Sequence, residues 1–147
     1  MPISTESSLA TEPEIFMKVN WKKKGTVLLI ELIGRMDTTI PKEFEAQLFN
    51  KIASGETHLV FDFSQVEHVT THGLRMLLQA FKEVTSVNGR MVFHSLNERV
   101  RHVFEIGGLT MAFSIYDTRE DAVAGALFTG MLPINILNNF NTINQAQ

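Results

Sequence analysis

The chain has 147 residues, of which 44% are hydrophobic, and a formal net charge of −3 from 13 basic and 16 acidic side chains. This length and composition fit one domain with a substantial hydrophobic core. The mild charge and the lack of a basic stripe argue against nucleic-acid binding. The sequence contains no cysteine, which excludes disulfides, thiolate catalysis and zinc–cysteine sites and fits a reducing cytoplasm.

Both ends of the chain differ in composition from the middle. Residues 1–14 are rich in Ser, Thr, Glu and Pro, which predicts a flexible tail. Residues 131–147 are rich in Asn and Gln but include the apolar side chains Ile134, Ile136, Leu137 and Phe140. Because large apolar groups are unfavourable in water, we expect this extension to dock on the domain at 15–130 or to self-associate, giving a homodimer. No apolar run is long enough to cross a membrane and no secretory signal opens the chain, so we expect a cytoplasmic protein.

The first half of the domain predicts a hairpin followed by a helix. Residues 15–21 and 26–33 read as strands, with Lys24-Gly25 as the turn between them. A loop is expected at 34–39. After Pro41, the apolar residues Phe44, Leu48 and Ile52 recur every four positions, which predicts a helix that ends at Ser54-Gly55.

The second half alternates strands and helices. Apolar runs predict strands at 59–63, 90–94 and 112–116, with a turn at Ser64-Gln65 after the first of them. Apolar residues at helical spacing predict helices at about 71–87, from Asn97, which can cap the helix, to Gly107-Gly108, and after Asp117-Thr118. This alternation predicts an α/β fold with a mostly parallel sheet.

The chemical signals favour neither catalysis nor a metal. There is no Gly-rich phosphate loop and no G-x-S-x-G motif. His68 and His72 are four residues apart, but His68 should precede the helix, so we expect no metal site and no cofactor. Asp62 is unusual inside an apolar strand, yet an acid or base needs a partner and a pocket, which the sequence does not indicate. Three other histidines read as strand-end or surface residues: His58, His94 and His102.

The junction Thr70-Thr71-His72-Gly73 follows a buried strand and opens a helix, where free N–H groups and a positive dipole end collect. We expect the Thr71 hydroxyl to cap the helix by bonding the N–H of Gly73 or Leu74. Gly73 costs helix stability, which suggests that its bare backbone lets another chain approach closely. The sequence therefore predicts a docking surface here.

Three separated motifs resemble the STAS domain family, in particular the bacterial anti-sigma-factor antagonists. They are Leu32-Ile-Gly-Arg-Met-Asp37, the central run Leu59-Val-Phe-Asp-Phe-Ser-Gln-Val with Val69-Thr-Thr-His-Gly-Leu74, and Val103-Phe-Glu-Ile-Gly-Gly-Leu109. The resemblance covers roughly residues 15–127. It implies a mixed, mostly parallel sheet of four to five strands, with about four helices packed mainly on one face.

The resemblance also implies a binding function rather than catalysis. Antagonists of this family bind an anti-sigma factor, usually a GHKL-type serine kinase, and so release a sigma factor. The kinase phosphorylates the first Ser of an Asp-Ser-Ser-Gly motif and ejects the antagonist, and a PP2C-type phosphatase reverses this. By position the phosphoacceptor falls on Thr71, while Thr70 replaces the Asp and His72 the second Ser. The implied partner-binding residues are Thr70, Thr71, His72, Gly73, Arg75, Asp37 and Thr38.

Two alternatives use the same fold. The changes at positions 70 and 72 favour a STAS module that binds one partner constitutively, without phosphorylation. The other alternative is a STAS accessory subunit that supports the ATPase of a lipid-transport ABC system.

Overall fold

A computed structural model describes residues 17–37 and 40–127. Within these ranges the strands are β1 (Lys18–Lys24), β2 (Val27–Met36), β3 (His58–Val69), β4 (Arg90–His94) and β5 (Ser114–Tyr116). The α-helices are α1 (Lys42–Ala53), α2 (Thr71–Ser86), α3 (Glu98–Ile106) and α4 (Arg119–Leu127), and a 3₁₀ turn spans Leu109–Met111. None of the helices in the described part of the chain has the length and apolar character needed to cross a membrane.

The five strands form one sheet in the order β1-β2-β3-β4-β5. β1 and β2 are antiparallel, and the other three pairings are parallel, which confirms the predicted mixed, mostly parallel sheet. The predicted hairpin joins β1 to β2, and Gly25 in its turn has a φ of 63°, a left-handed conformation that glycine adopts without steric cost.

The helices lie mainly on one face of the sheet, as predicted. On that face α1, α2 and α3 cover the larger core, which contains a cluster of stacked and edge-on rings: Phe61, Phe63, Phe93, Phe104 and Phe113. On the opposite face α4 packs Ala122 and Ala126 against the valines of β2, β3 and β4. These small side chains let α4 lie close to the sheet.

The predicted turn at Ser64-Gln65 is wrong, because β3 continues unbroken to Val69. Its pairing with β4 stops at Asp62, whose register partner is His94, while its pairing with β2 continues with two register shifts as far as Met36. Beyond Asp62 the strand has a neighbour on one side only, so polar side chains can face solvent inside a strand. The expected loop at 34–39 therefore begins only after Met36.

The boundaries of other strands differ from the predicted ones by a few residues. β1 runs to Lys24 rather than stopping at residue 21, because its lysines still pair with the start of β2. The last strand starts at Ser114, since the 3₁₀ turn and its C-cap at Ala112 occupy the residues before it. The two predicted terminal segments, 1–14 and 131–147, lie outside the described residues.

Candidate functional site

The start of α2 is tied to the end of β2 through Thr70. The Thr70 N–H donates to the Met36 carbonyl at 2.9 Å, and the Thr70 carbonyl accepts from the N–H of Leu74 at 2.9 Å. With φ −109° and ψ 175°, Thr70 has the extended backbone of an N-cap residue. The prediction that Thr71 caps the helix is therefore wrong: Thr71 is the first helical residue, and no side chain caps α2.

Gly73 does not offer bare backbone to a partner. It is buried, and a Cβ built on it would lie 2.7 Å from the Met36 carbonyl oxygen and 3.0 Å from Met36 Cγ. The close approach that glycine permits is thus used by the chain itself, which packs the end of β2 against the first turn of α2. The expectation that the backbone of Gly73 is bare is therefore wrong.

The remaining side chains of the junction face solvent. Thr71, His72 and Arg75 are exposed, and none of them forms a hydrogen bond or ion pair with the described residues. The first turn of α2 contains no acidic residue, so no carboxylate offsets the positive end of the helix dipole. Arg75 lies four residues after Thr71 and hence on the same side of the helix. The surface can receive a negative charge at Thr71.

A groove between α1 and α2 begins beside these residues. It has a volume of about 450 Å³, and His72 and Arg75 line its end nearest Thr71. Phe49 and Met76 give it apolar walls, and carboxylates from both helices complete the lining. An open groove with apolar walls and charges of both signs resembles a protein-docking surface more than an enclosed small-molecule site.

Asp37 lies at the same edge of the sheet, directly after Met36. It is half-buried, and its Oδ2 lies 3.4 Å from Arg35 Nε. Thr38, the other residue implied at this edge, lies outside the described residues. Across residues 17–37 and 40–127, no three His, Asp or Glu side chains are grouped so that they could hold a metal ion.

A second polar group was missed by sequence reasoning. Asp62 Oδ1 accepts from the Ser64 N–H at 2.9 Å, and its Oδ2 accepts from Arg119 Nη2 at 3.1 Å. His94 Nε2 lies 4.0 Å from Asp62 Oδ1. His94 was expected at a strand end or on the surface; it does end β4, but it is only 3% exposed. The signal that could have found this group is an Asp and a His in two otherwise apolar strands that pair with each other.

The electrostatics of this group follow from its burial. Burial raises the pKa of Asp62, but hydrogen bonds from Ser64 and Arg119 and the proximity of His94 outweigh it, so the pKa is lowered overall. Burial lowers the pKa of His94; Asp62 opposes this, while Arg119 adds to it. The imidazole is therefore neutral at pH 7 while the carboxylate is ionised.

The five-stranded mixed sheet, with three helices on one face and one on the other, defines an α/β domain of the STAS type. The chain belongs to the STAS domain family, whose model matches residues 18–122. It is 32% identical over 117 residues to BtrV of Bordetella bronchiseptica, which carries the name of an anti-sigma factor antagonist. That alignment covers 80% of this chain and 99% of BtrV.

Solved structures share the fold. A Thermotoga maritima protein described as an anti-sigma factor antagonist superposes with a TM-score of 0.70 at 21% identity, covering 74% of this chain and 93% of that one. The Bacillus protein SpoIIAA in its phosphorylated form gives a TM-score of 0.61 at 21% identity, covering 73% of this chain and 97% of SpoIIAA.

Proposed function

We propose that this chain is an anti-sigma factor antagonist: a regulatory module at residues 15–130 that binds an anti-sigma factor of the GHKL kinase type and is switched by phosphorylation of Thr71. The names of its relatives support the class of function. The observation that carries the site is the exposed Thr71 at the positive end of α2, without a hydrogen-bond partner among the described residues.

The proposed switch acts through the charge of the phosphate. A phosphate on Thr71 adds a charge of about −1.5 to −2. In the free domain this charge meets the N-terminal end of α2 and the cationic Arg75 one turn on, so the fold tolerates it. In the complex the same charge would be desolvated against the partner, and an unpaired buried charge costs about 2–5 kcal/mol. Phosphorylation therefore weakens the complex and not the fold, and a PP2C-type phosphatase would restore binding.

The neighbouring residues suit this arrangement. Thr70 is committed inward by its backbone bonds to Met36 and Leu74, which leaves Thr71 as the hydroxyl that faces solvent. His72 and Arg75 link Thr71 to the groove between α1 and α2, so a partner bound over Thr71 could also reach the apolar walls at Phe49 and Met76. This groove would provide contact area beside the switched residue.

The test combines modification with affinity. The cognate kinase and ATP should add one phosphate at Thr71, detected by mass spectrometry and absent in Thr71→Ala. In a titration against that kinase, Thr71→Glu should bind at least about ten-fold more weakly than wild type. Thr85→Glu is the matched control, since Thr85 is exposed in the last turns of the same helix; its affinity should be unchanged. Equal affinity of wild type and Thr71→Glu would remove the switch.

The second candidate is a module that binds its partner constitutively. It is favoured by Thr70 and His72, which replace the Asp and the Ser that the resemblance leads one to expect beside a phosphoacceptor. On this alternative the kinase binds the chain but leaves no phosphate on it. Binding with unmodified Thr71 after prolonged incubation with ATP would favour the constitutive module.

A further inference from the structure

The sheet face that carries α4 also contains a partly open cavity of about 130 Å³. Its polar lining includes Lys22 of β1, Glu31 of β2, Asp62 of β3, His94 at the end of β4 and Arg119 at the start of α4. Ligands of α/β proteins often bind outside the carboxyl ends of parallel strands, where β4 ends here. The cavity shares no lining residue with the groove between α1 and α2.

His94 lines the cavity, and its hydrogen bonds indicate which of its two ring nitrogens lacks a proton. The Ser95 hydroxyl donates to the Asp117 carbonyl at 3.2 Å, so its oxygen accepts from His94 Nδ1, 2.8 Å away. On this basis we assign the hydrogen to Nδ1, which leaves a lone pair on Nε2. Nε2 is buried and has no hydrogen-bond partner among the described residues. Asp62 Oδ1, 4.0 Å from Nε2, already accepts from the Ser64 N–H, so Nε2 is the acceptor that an added donor would satisfy.

Some of the charged groups around the cavity already have hydrogen-bond partners, and others do not. Both oxygens of Asp62 accept hydrogen bonds, and Glu31 accepts from Asn20 at 2.9 Å and Gln65 at 3.4 Å. The Lys22 ammonium has no such bond to the described residues, and Arg119 uses one guanidinium nitrogen on Asp62. The groups that can still form hydrogen bonds are therefore one buried acceptor, at His94, and the cationic donors of Lys22 and Arg119.

We propose that this cavity binds a small carboxylate that also carries a hydroxyl or amino group. The hydroxyl or amine donates to His94 Nε2, and the carboxylate accepts from Lys22 and Arg119. The cavity of about 130 Å³ is close in size to an engineered cavity of about 150 Å³ that holds benzene, so it suits a ligand of about six non-hydrogen atoms, such as a two- or three-carbon acid. This site does not depend on the function proposed for Thr71.

The probes are glycolate, L-lactate, glycine and L-serine, titrated into the full chain while the ¹⁵N signals of the His94 imidazole are followed by NMR. At least one of the four should give a saturable shift at His94 Nε2. Propionate, which lacks the donor, and 1,2-propanediol, which lacks the carboxylate, should bind at least about ten-fold more weakly, since each leaves one set of groups unpaired.

Substitutions at the cavity edge give a second readout without disturbing the buried group. Lys22→Gln should weaken binding of the best probe by about three-fold or more. Lys24→Gln should leave it unchanged, because Lys24 lies two residues further along β1 and outside the lining. If none of the four probes saturates, or if propionate or propanediol binds equally well, the cavity does not recognise an acid with a donor group and the proposal is overturned. Equal binding by Lys22→Gln and Lys24→Gln would also overturn it.

Discussion

Gly73 and Met36 are in such close contact that a Cβ on Gly73 would lie 2.7 Å from the Met36 carbonyl oxygen. The same carbonyl accepts the Thr70 N–H at 2.9 Å, so two neighbouring positions of the β3–α2 junction hold the end of β2. These contacts fix the position of the first turn of α2 relative to the sheet. Thr71 is thereby held at the start of a helix that is packed on the sheet rather than in a loop, which suits the switch proposed for it.

Gly73→Ala should destabilise the domain, although alanine is the better helix former. Alanine gains about 1 kcal/mol in helix propensity. The added methyl group would overlap a backbone oxygen that cannot move without breaking its hydrogen bond to Thr70, and overpacking of this kind costs about 1–3 kcal/mol. We expect a net loss of up to about 2 kcal/mol in the free energy of unfolding, measured by urea denaturation.

Gly107→Ala is the matched control for this substitution. Its Cβ would lie 3.3 Å from Leu74 Cδ1, the end of a flexible side chain, so the clash can be relieved by a small movement. We expect its free energy of unfolding to stay within about 0.5 kcal/mol of wild type. A Gly73→Ala protein as stable as Gly107→Ala would show that Met36 does not confine the junction.

Asn97 joins α3 to the sheet through both ends of its amide. Its Oδ1 accepts from the Val100 N–H at 2.7 Å, the N-cap bond that the sequence predicts, and its Nδ2 donates to the Val66 carbonyl at 3.0 Å. Asn97→Ala removes both bonds and should lower the free energy of unfolding by about 1–2 kcal/mol. Asn97→Asp keeps the cap but cannot donate to the Val66 carbonyl. Its free energy of unfolding, measured by chemical denaturation, should therefore lie between those of wild type and Asn97→Ala. If Asn97→Asp equals Asn97→Ala, the cap contributes nothing.

Sequence patterns predicted the order of the elements well, because helix spacing at Phe44, Leu48 and Ile52 and a capping residue such as Asn97 act locally. They failed where the deciding partner is distant along the chain. Ser64 resembles a turn residue, but the pairing of β3 with β2 keeps it in a strand. Likewise Gly73 suggests an exposed backbone only until Met36, from another strand, is seen to cover it.

The buried group at Asp62 could not be found for the same reason. Its three members come from β3, β4 and α4, and their meeting depends on the register that pairs Asp62 with His94. The candidate at Thr71 was found because its strand, hydroxyl and helix are contiguous. The local environment of Thr71 could not be predicted in the same way, since the sequence assigns the N-cap to Thr71 whereas in the structure Thr70 is the N-cap residue.

Stability should fall as the pH drops from 7.5 to 5.5, because His94 is held neutral in the folded state. The charges that face it are Asp62 from β3 and Arg119 and Glu120 from α4, and burial lowers its pKa from 6.5. Below pH 6.5 the unfolded chain therefore binds a proton that the folded chain does not. The free energy of unfolding should fall by at most about 1.4 kcal/mol per pH unit, until the pH reaches the folded pKa of His94.

His94→Gln should remove this slope, whereas His102→Gln, at an exposed site, should keep it. Urea denaturation at pH 5.5, 6.5 and 7.5 makes the comparison. Asp62 titrates in a separate window, since its lowered pKa means that its contribution is present above 3.8 and is lost only as the pH falls through its folded value. A slope that persists in His94→Gln would assign the pH dependence to other groups.

Thr71→Glu should leave the domain as stable as wild type or slightly more stable, which separates the switch from unfolding. A carboxylate in the first turn of a helix is favourable by about 0.3–1 kcal/mol, and α2 has no acidic residue there. A carboxylate at Thr85, in the last turn, meets the negative end of the helix dipole. The substitution also removes the hydrogen bonds from the Thr85 hydroxyl to the carbonyls of Phe81 and Lys82, so Thr85→Glu should be the less stable variant.

Thermal melts at low salt and at 0.5 M NaCl make the comparison. Because salt screens the interaction of a carboxylate with the helix dipole, the difference in stability between Thr71→Glu and Thr85→Glu should be smaller at 0.5 M NaCl. If Thr71→Glu instead lost more than about 1 kcal/mol, weaker partner binding would reflect a damaged fold, and the electrostatic switch would have to be abandoned.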